Sequence, residues 1–190
     1  YIKTGIQTHL TNYQLFNILK ANKRILLFLF KKKLLKPEKL IIFTFQQKKF
    51  KKFNYFSFLH QEIKKTEQTK EEKEHERKAT IGENDDIISE MIRNDSIEDF
   101  ITFSKKKKFQ LKSTIEQSIY ETNYFLLKNK PTLIEYAAFF GSMQIFRYLN
   151  LNGIEFKPPI WIYSIHGRNP EMISYLEDKK VVPEDCSFKE

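Results

Sequence analysis

An all-α fold, built from helical hairpins stacked side by side into a solenoid, is predicted by three observations in this chain of 190 residues. First, Thr132 to Phe156 read TLIEYAAFFGSMQIFRYLNLNGIEF, in which a tandem-alanine helix ends at Gly141 and a second helix ends at Gly153. Small residues let two helices approach closely, and glycine accepts the left-handed backbone that closes a helix. Second, the pattern recurs. A shift of 27 residues places Ala137-Ala138 on Ser164-Ile165, Ile145-Phe146 on Met172-Ile173 and Tyr148-Leu149 on Tyr175-Leu176. Third, second-helix starts recur at Ser96, Ser142 and Asn169. A lone hairpin cannot bury its own apolar face, so copies must stack, and such stacks bind macromolecules rather than turn over substrates.

Taken in chain order, residues 1–58 form a basic, aromatic-rich extension, with 13 Lys or Arg against one acid, Glu38. The rest of the chain carries 20 basic and 23 acidic residues, so the net charge of +9 belongs wholly to this segment. Lys, Phe, Asn, Ile, Tyr and Leu fill 43 of its positions, and from that composition weak order is expected. Leu15, Phe16, Ile18, Leu19 and the run Ile25 to Phe30 would support a helix that is apolar on most sides and needs a partner or a membrane surface. LIIFTF, Leu40 to Phe45, reads equally well as a strand. The six-residue apolar run before Lys31-Lys32-Lys33 is far short of the ~20 residues of a membrane span, and no signal-peptide cleavage site follows it. QQKKFKKFNYF, Gln46 to Phe56, interleaves lysine with aromatics as nucleic-acid or anionic membrane surfaces require.

Residues 59–80 read as a charged helical linker. EIKKTEQTKEEKEHERK, Glu62 to Lys78, mixes like and opposite charges at four-residue spacing and carries almost no apolar residue, so a solvated helix without a core is expected. Repeat-like sequence then runs over 81–190. Gly82 to Phe103 offers a helix pair broken at Asn94-Asp95, with Asn84, Asp85 and Asp86 suited to the first turn and Ser96 with Asp99 as a capping box. In Ser113 to Asn129, Thr114 with Gln117 marks a helix running into an irregular connector. Thr132 with Glu135 opens the next helix as a capping box. Asn169-Pro170 supplies a cap followed by proline at the first helical position.

The phrases PTLIEYAAFFGS and WIYSIHGRNPEMISYLE, with the Ala137-Ala138-Phe139-Phe140-Gly141 core, resemble a divergent ankyrin-repeat family expanded in parasitic protists. The resemblance covers about Ile81 to Glu190. Its repeats are degenerate: Ser164 stands where the family has alanine, Arg168 and Lys180 where it has glycine, and a looser inter-helix turn is expected in that copy. The family implies a scaffold for protein–protein contact, with no catalytic residues to carry over. Its partners are met by inter-repeat loops and the exposed ends of inner helices, which here puts Phe139, Phe140, Lys157 and His166 forward as partner-binding residues. The alternative is that the two phenylalanines pack on the neighbouring repeat. With two to three copies and a first residue that is not Met, a fragment of a longer array is expected.

Other chemistry is unsupported by the spacing of its residues. His9, His60, His75 and His166 are scattered, and Cys186 has no second thiol or nearby histidine, so no metal, cofactor or catalytic constellation is expected. His166 with Glu171 and Asp185 would be the nearest approach to a base and its carboxylates. Gly82, Gly141, Gly153 and Gly167 form neither GxGxxG nor a P-loop. Trp161 is expected in the core rather than in a ligand cage. A single cysteine fits a reducing, intracellular and cytoplasmic setting. The expected function is therefore binding of a protein partner, with a nucleic-acid or anionic-membrane tether through residues 1–58 as the alternative.

Overall fold

The structure is a computed structural model that describes residues 9–47, 50, 54–59, 62, 70–107 and 109–183. Secondary structure among these residues is helical, and the extended pairing present is an isolated antiparallel bridge between Thr114 and Thr132. The chain divides into two compact units: unit 1 is 1–85 with 117–128, and unit 2 is 86–116 with 129–190.

Unit 1 contains α1 (Asn12–Leu19), α2 (Lys23–Lys31), α3 (Lys39–Gln46), α4 (Tyr55–Phe58) and α5 (Lys70–Ile81). Thr11 and Gln14 form a capping box on α1, and Asn22 accepts from the Ile25 amide to start α2. Each cap satisfies an otherwise orphaned N–H. Leu15 and Phe16 of α1, Leu26, Leu27, Leu29 and Phe30 of α2, and Ile41 and Phe45 of α3 then close on one core with Phe58, Leu59 and Ala79. Phe45 is its aromatic hub, edge-on to Phe16 at 5.3 Å and stacked on Tyr55 at 5.8 Å. The expected weak order of residues 1–58 is thus corrected for the described residues. Composition hid a helical spacing of large apolar side chains, and burying these rings offsets the ordering entropy. LIIFTF is helical in α3, not a strand, and presents Ile41 and Phe45 to that core.

The linker expectation is corrected in the same way. α5 is a helix, but it is docked: Ala79 is buried, and His75 bonds the Phe58 carbonyl through Nε2 at 3.2 Å and the Tyr120 hydroxyl through Nδ1 at 3.1 Å. The carbonyl can only accept, so Nε2 carries a proton. Segment 117–128, expected to belong with the repeats, completes unit 1. Its first residues are irregular and the helix, α8 (Tyr124–Asn129), comes last, which reverses the expected order. Gln117 does not cap a helix there; its side-chain amide donates to the Leu127 carbonyl at 2.9 Å. Lys23 explains much of the docking. Its ammonium is buried, donates to the Ile119 and Glu121 carbonyls at 2.9 and 3.1 Å, and lies over the Tyr55 and Phe58 rings.

Unit 2 contains three helical hairpins: α6 (Ile87–Arg93) with α7 (Ile97–Lys107), α9 (Leu133–Phe140) with α10 (Met143–Leu151), and α11 (Ile160–Gly167) with α12 (Pro170–Asp178). The first helices form one layer, α6 against α9 and α9 against α11, and α7 packs on α10 in a second. Aromatic pairs join the second layer, Phe100 to Tyr148 at 6.1 Å and Phe146 to Tyr175 at 5.8 Å. Ala137 and Ala138 have no exposed surface, and Trp161 is buried with its indole N–H donating to the Val181 carbonyl at 2.9 Å.

Candidate partner-binding surface

Each hairpin of unit 2 turns through a residue with positive φ: Asp95 at 50°, Gly141 at 70° and Arg168 at 53°. The outer helices of the last two end alike, at Gly153 (φ 78°) and Lys180 (φ 54°). The 27-residue offset is therefore a backbone repeat, and the expected looser turn at Arg168 is corrected: arginine adopts the same left-handed geometry as Gly141. Non-glycine residues do so at a cost of about 1 kcal/mol, repaid by surrounding contacts. Those contacts are visible. Asn169 caps α12, accepting from the Glu171 and Met172 amides, and its own amide donates to the Gly141 carbonyl at 3.2 Å. Asp95 accepts from the Gln144 and Ile145 amides, both at 3.0 Å, so the turn of one hairpin caps the outer helix of the next. Ser142 donates to the Ile92 carbonyl across the same step.

These turns place an aromatic strip at the C-terminal ends of the inner helices. Tyr136 and Phe140 lie 4.7 Å apart, Phe140 and Phe139 5.1 Å, and Phe139 and His166 stack at 6.0 Å with an interplanar angle of 28°. Arg93 reaches the strip from α6, donating to the Tyr136 hydroxyl at 3.2 Å. Tyr136 is buried, Phe139 and Phe140 are half-buried, and His166 is exposed beside the exposed Ile165. Gly167 sets the spacing. A Cβ there would lie 2.5 Å from the Phe139 carbonyl oxygen and 2.8 Å from that of Ala138, so only glycine allows α11 to close on the end of α9.

Lys157 is elsewhere. It lies on the connector between α10 and α11, exposed, at the rim of a concavity of about 320 Å3 at the opposite end of the inner helices. Buried Ile134, Ile154 and Ile160 line it, with Lys112, Glu155 and Lys157 around them. Glu135 also lines it, its carboxylate held by the Thr132 amide and hydroxyl at 2.7 Å each in the expected capping box. Burial, with Glu135 adding its charge, pushes the nearby Tyr163 phenol up to about 12.

Of the four residues put forward from sequence, the fold thus gathers Phe139, Phe140 and His166 and separates Lys157 from them. Tyr136, Arg93 and Gly167 were missed. The signal for Tyr136 and Arg93 lay in their place near helix C-termini on the layer that faces its neighbour, and the signal for Gly167 lay in its position 26 residues after Gly141. Of the imagined base and carboxylates, Glu171 pairs with Arg147 at 2.9 Å, and Asp185 lies outside the described residues, as does Cys186. Among the described residues no group of three His, Cys, Asp or Glu side chains is placed to hold a metal ion, and no helix is long and apolar enough to cross a membrane.

The fold and surface together define an all-helical protein whose second unit is a stack of three hairpins with an aromatic strip across the hairpin ends. No protein-family model, curated protein or solved structure matches the chain.

Proposed function

We propose that unit 2 is an ankyrin-like solenoid segment that serves as a protein–protein interaction scaffold, without catalysis. The observation that carries the reading is the layering: inner helices pack on inner helices through turns of one left-handed geometry, and this leaves an aromatic strip running across two consecutive repeats. Half-exposed aromatic rings held rigidly by neighbours are the side chains that concentrate binding energy at protein interfaces. Phe139, Phe140 and His166 form the centre of the contact. Lys157, at the concavity between the α10–α11 connector and the first turns of α9 and α11, supplies a second contact through an inter-repeat loop. A protein partner fits half-buried rings set beside the exposed Ile165 and His166.

A pulldown with the full chain as bait tests this. A protein retained by the wild type and lost with Phe139→Ala and Phe140→Ala supports the scaffold; retention unchanged by both substitutions contradicts it. Truncating one well-packed interface ring typically costs about 2 kcal/mol or more, some thirtyfold in affinity.

A further inference from the structure

Among the described residues, unit 1 buries half of its aromatic side chains. On α2, Arg24, Ile25 and Phe28 are exposed at the helical spacing that puts them on one face, with Lys32 at the helix end; on α3, Lys39, Leu40 and Phe43 are exposed in the same way, with Gln47 at its end. The two rings are far from incidental in extent: Phe28 is 54 % exposed and Phe43 is 59 % exposed. Ile18 of α1 is exposed as well. Around these apolar groups the accessible charge is mostly positive, with the exposed Glu38 as the exception. Arg24, Lys32, Lys33, Lys36 and Lys39 are exposed and have no ion-pair partner among the described residues. Glu38, the lone acid of residues 1–58, accepts a hydrogen bond from the Asn12 side chain at 2.6 Å.

A helix face that shows aromatic and aliphatic groups between unpaired cations fits the boundary between anionic headgroups and acyl chains, where the rings leave water and the cations stay in it. It fits single-stranded nucleic acid less well. Of the aromatics interleaved with lysine that would serve as a stacking platform, Phe50 and Tyr55 are locked in the core, and bases do not reward exposed Ile25 and Leu40. Lys48, Lys49, Lys51 and Lys52 lie outside the described residues. No described helix is long enough to span a bilayer, so the contact is at its surface.

We propose that unit 1 docks on an anionic lipid surface, inserting the exposed rings of Phe28 and Phe43 while Arg24, Lys32, Lys33, Lys36 and Lys39 meet the headgroup phosphates. The test is co-sedimentation of the full chain with phosphatidylcholine vesicles, with and without about a quarter of phosphatidylserine. Binding is expected with the anionic vesicles and weak or absent with the neutral ones. The double substitution Phe28→Ser and Phe43→Ser should weaken anionic binding by about tenfold or more with unchanged helical circular dichroism, because neither ring belongs to the core. Equal binding to both vesicle types, binding that ignores the double substitution, or binding to a single-stranded oligonucleotide but not to anionic vesicles would each overturn the proposal.

Discussion

Two residues carry opposite kinds of burial, and each yields a sharp expectation. Ala137 is enclosed where α9 meets its neighbours, so Ala137→Glu would bury an unpaired carboxylate; several kcal/mol of unit 2 stability should go, read as a lowered melting temperature. An unchanged melting temperature would contradict the close inner-helix contact. Lys23 is a buried ammonium that two carbonyls and two rings solvate incompletely. Burial pulls its pKa from 10.5 down to about 8, with Glu121 opposing the shift. Between those values the unfolded chain binds more protons than the folded one, so the penalty for burying the charge lifts and stability rises with pH. The slope from this group is about 1 kcal/mol per unit between roughly pH 8 and 9.5. Tyr55 faces Lys23 and is raised to about 12 by burial, with Tyr124 adding to it, so its own opposite contribution begins only as free tyrosine ionises. Denaturant unfolding of wild type and Lys23→Met across that range should show the rise in wild type alone; parallel curves would remove the ammonium from the account.

At the scale of elements, the legible parts of the sequence were those with local chemistry. Thr132 with Glu135 and Asn169 with Pro170 start helices where they were expected, because a cap and its partner lie within one turn; Asn84, Asp85 and Asp86, expected in a first turn, instead precede the helix, with Asp86 as its cap. What stayed hidden is non-local. Thr114 looked like a cap but bridges Thr132, and Asp95 looked like a simple break but closes α10 some 50 residues on. Nothing in the immediate neighbourhood of Lys23 points to carbonyls 96 and 98 residues away. The hairpin ends give the element-scale prediction. Gly167→Ala forces a methyl group against the Phe139 and Ala138 carbonyls, so α11 must back away from α9. A loss of about 1–3 kcal/mol with altered Phe139–His166 ring contact is expected, visible as shifted His166 ring resonances in NMR spectra. A variant as stable as wild type, with His166 unmoved, would contradict the close approach.

For the whole molecule, average composition was the misleading quantity. Residues 1–58 were expected to be weakly ordered on composition, with a helix over Leu15 to Phe30 in need of a partner; that partner is a core of the same segment, which also takes in Ala79 and the 117–128 segment. The hairpin series of unit 2 was legible because its 27-residue offset survives in the apolar positions even where Arg168 and Lys180 replace glycine. Deleting residues 1–58 strips unit 1 of its core but touches none of the helices of unit 2. The cooperative unfolding of unit 2, identified by its sensitivity to Ala137→Glu, should therefore persist in the truncated chain. Its disappearance on calorimetry would mean that the two units fold only together.

The claim that unit 2 meets a protein through its hairpin ends is tested most directly by amide hydrogen exchange on the full chain, free and bound to its captured partner. Slowed exchange is expected at Phe139 to Gly141 and at Ile165 to Gly167, with a second, smaller effect around Lys157. Protection confined to residues 12–59, with those segments unchanged, would contradict it.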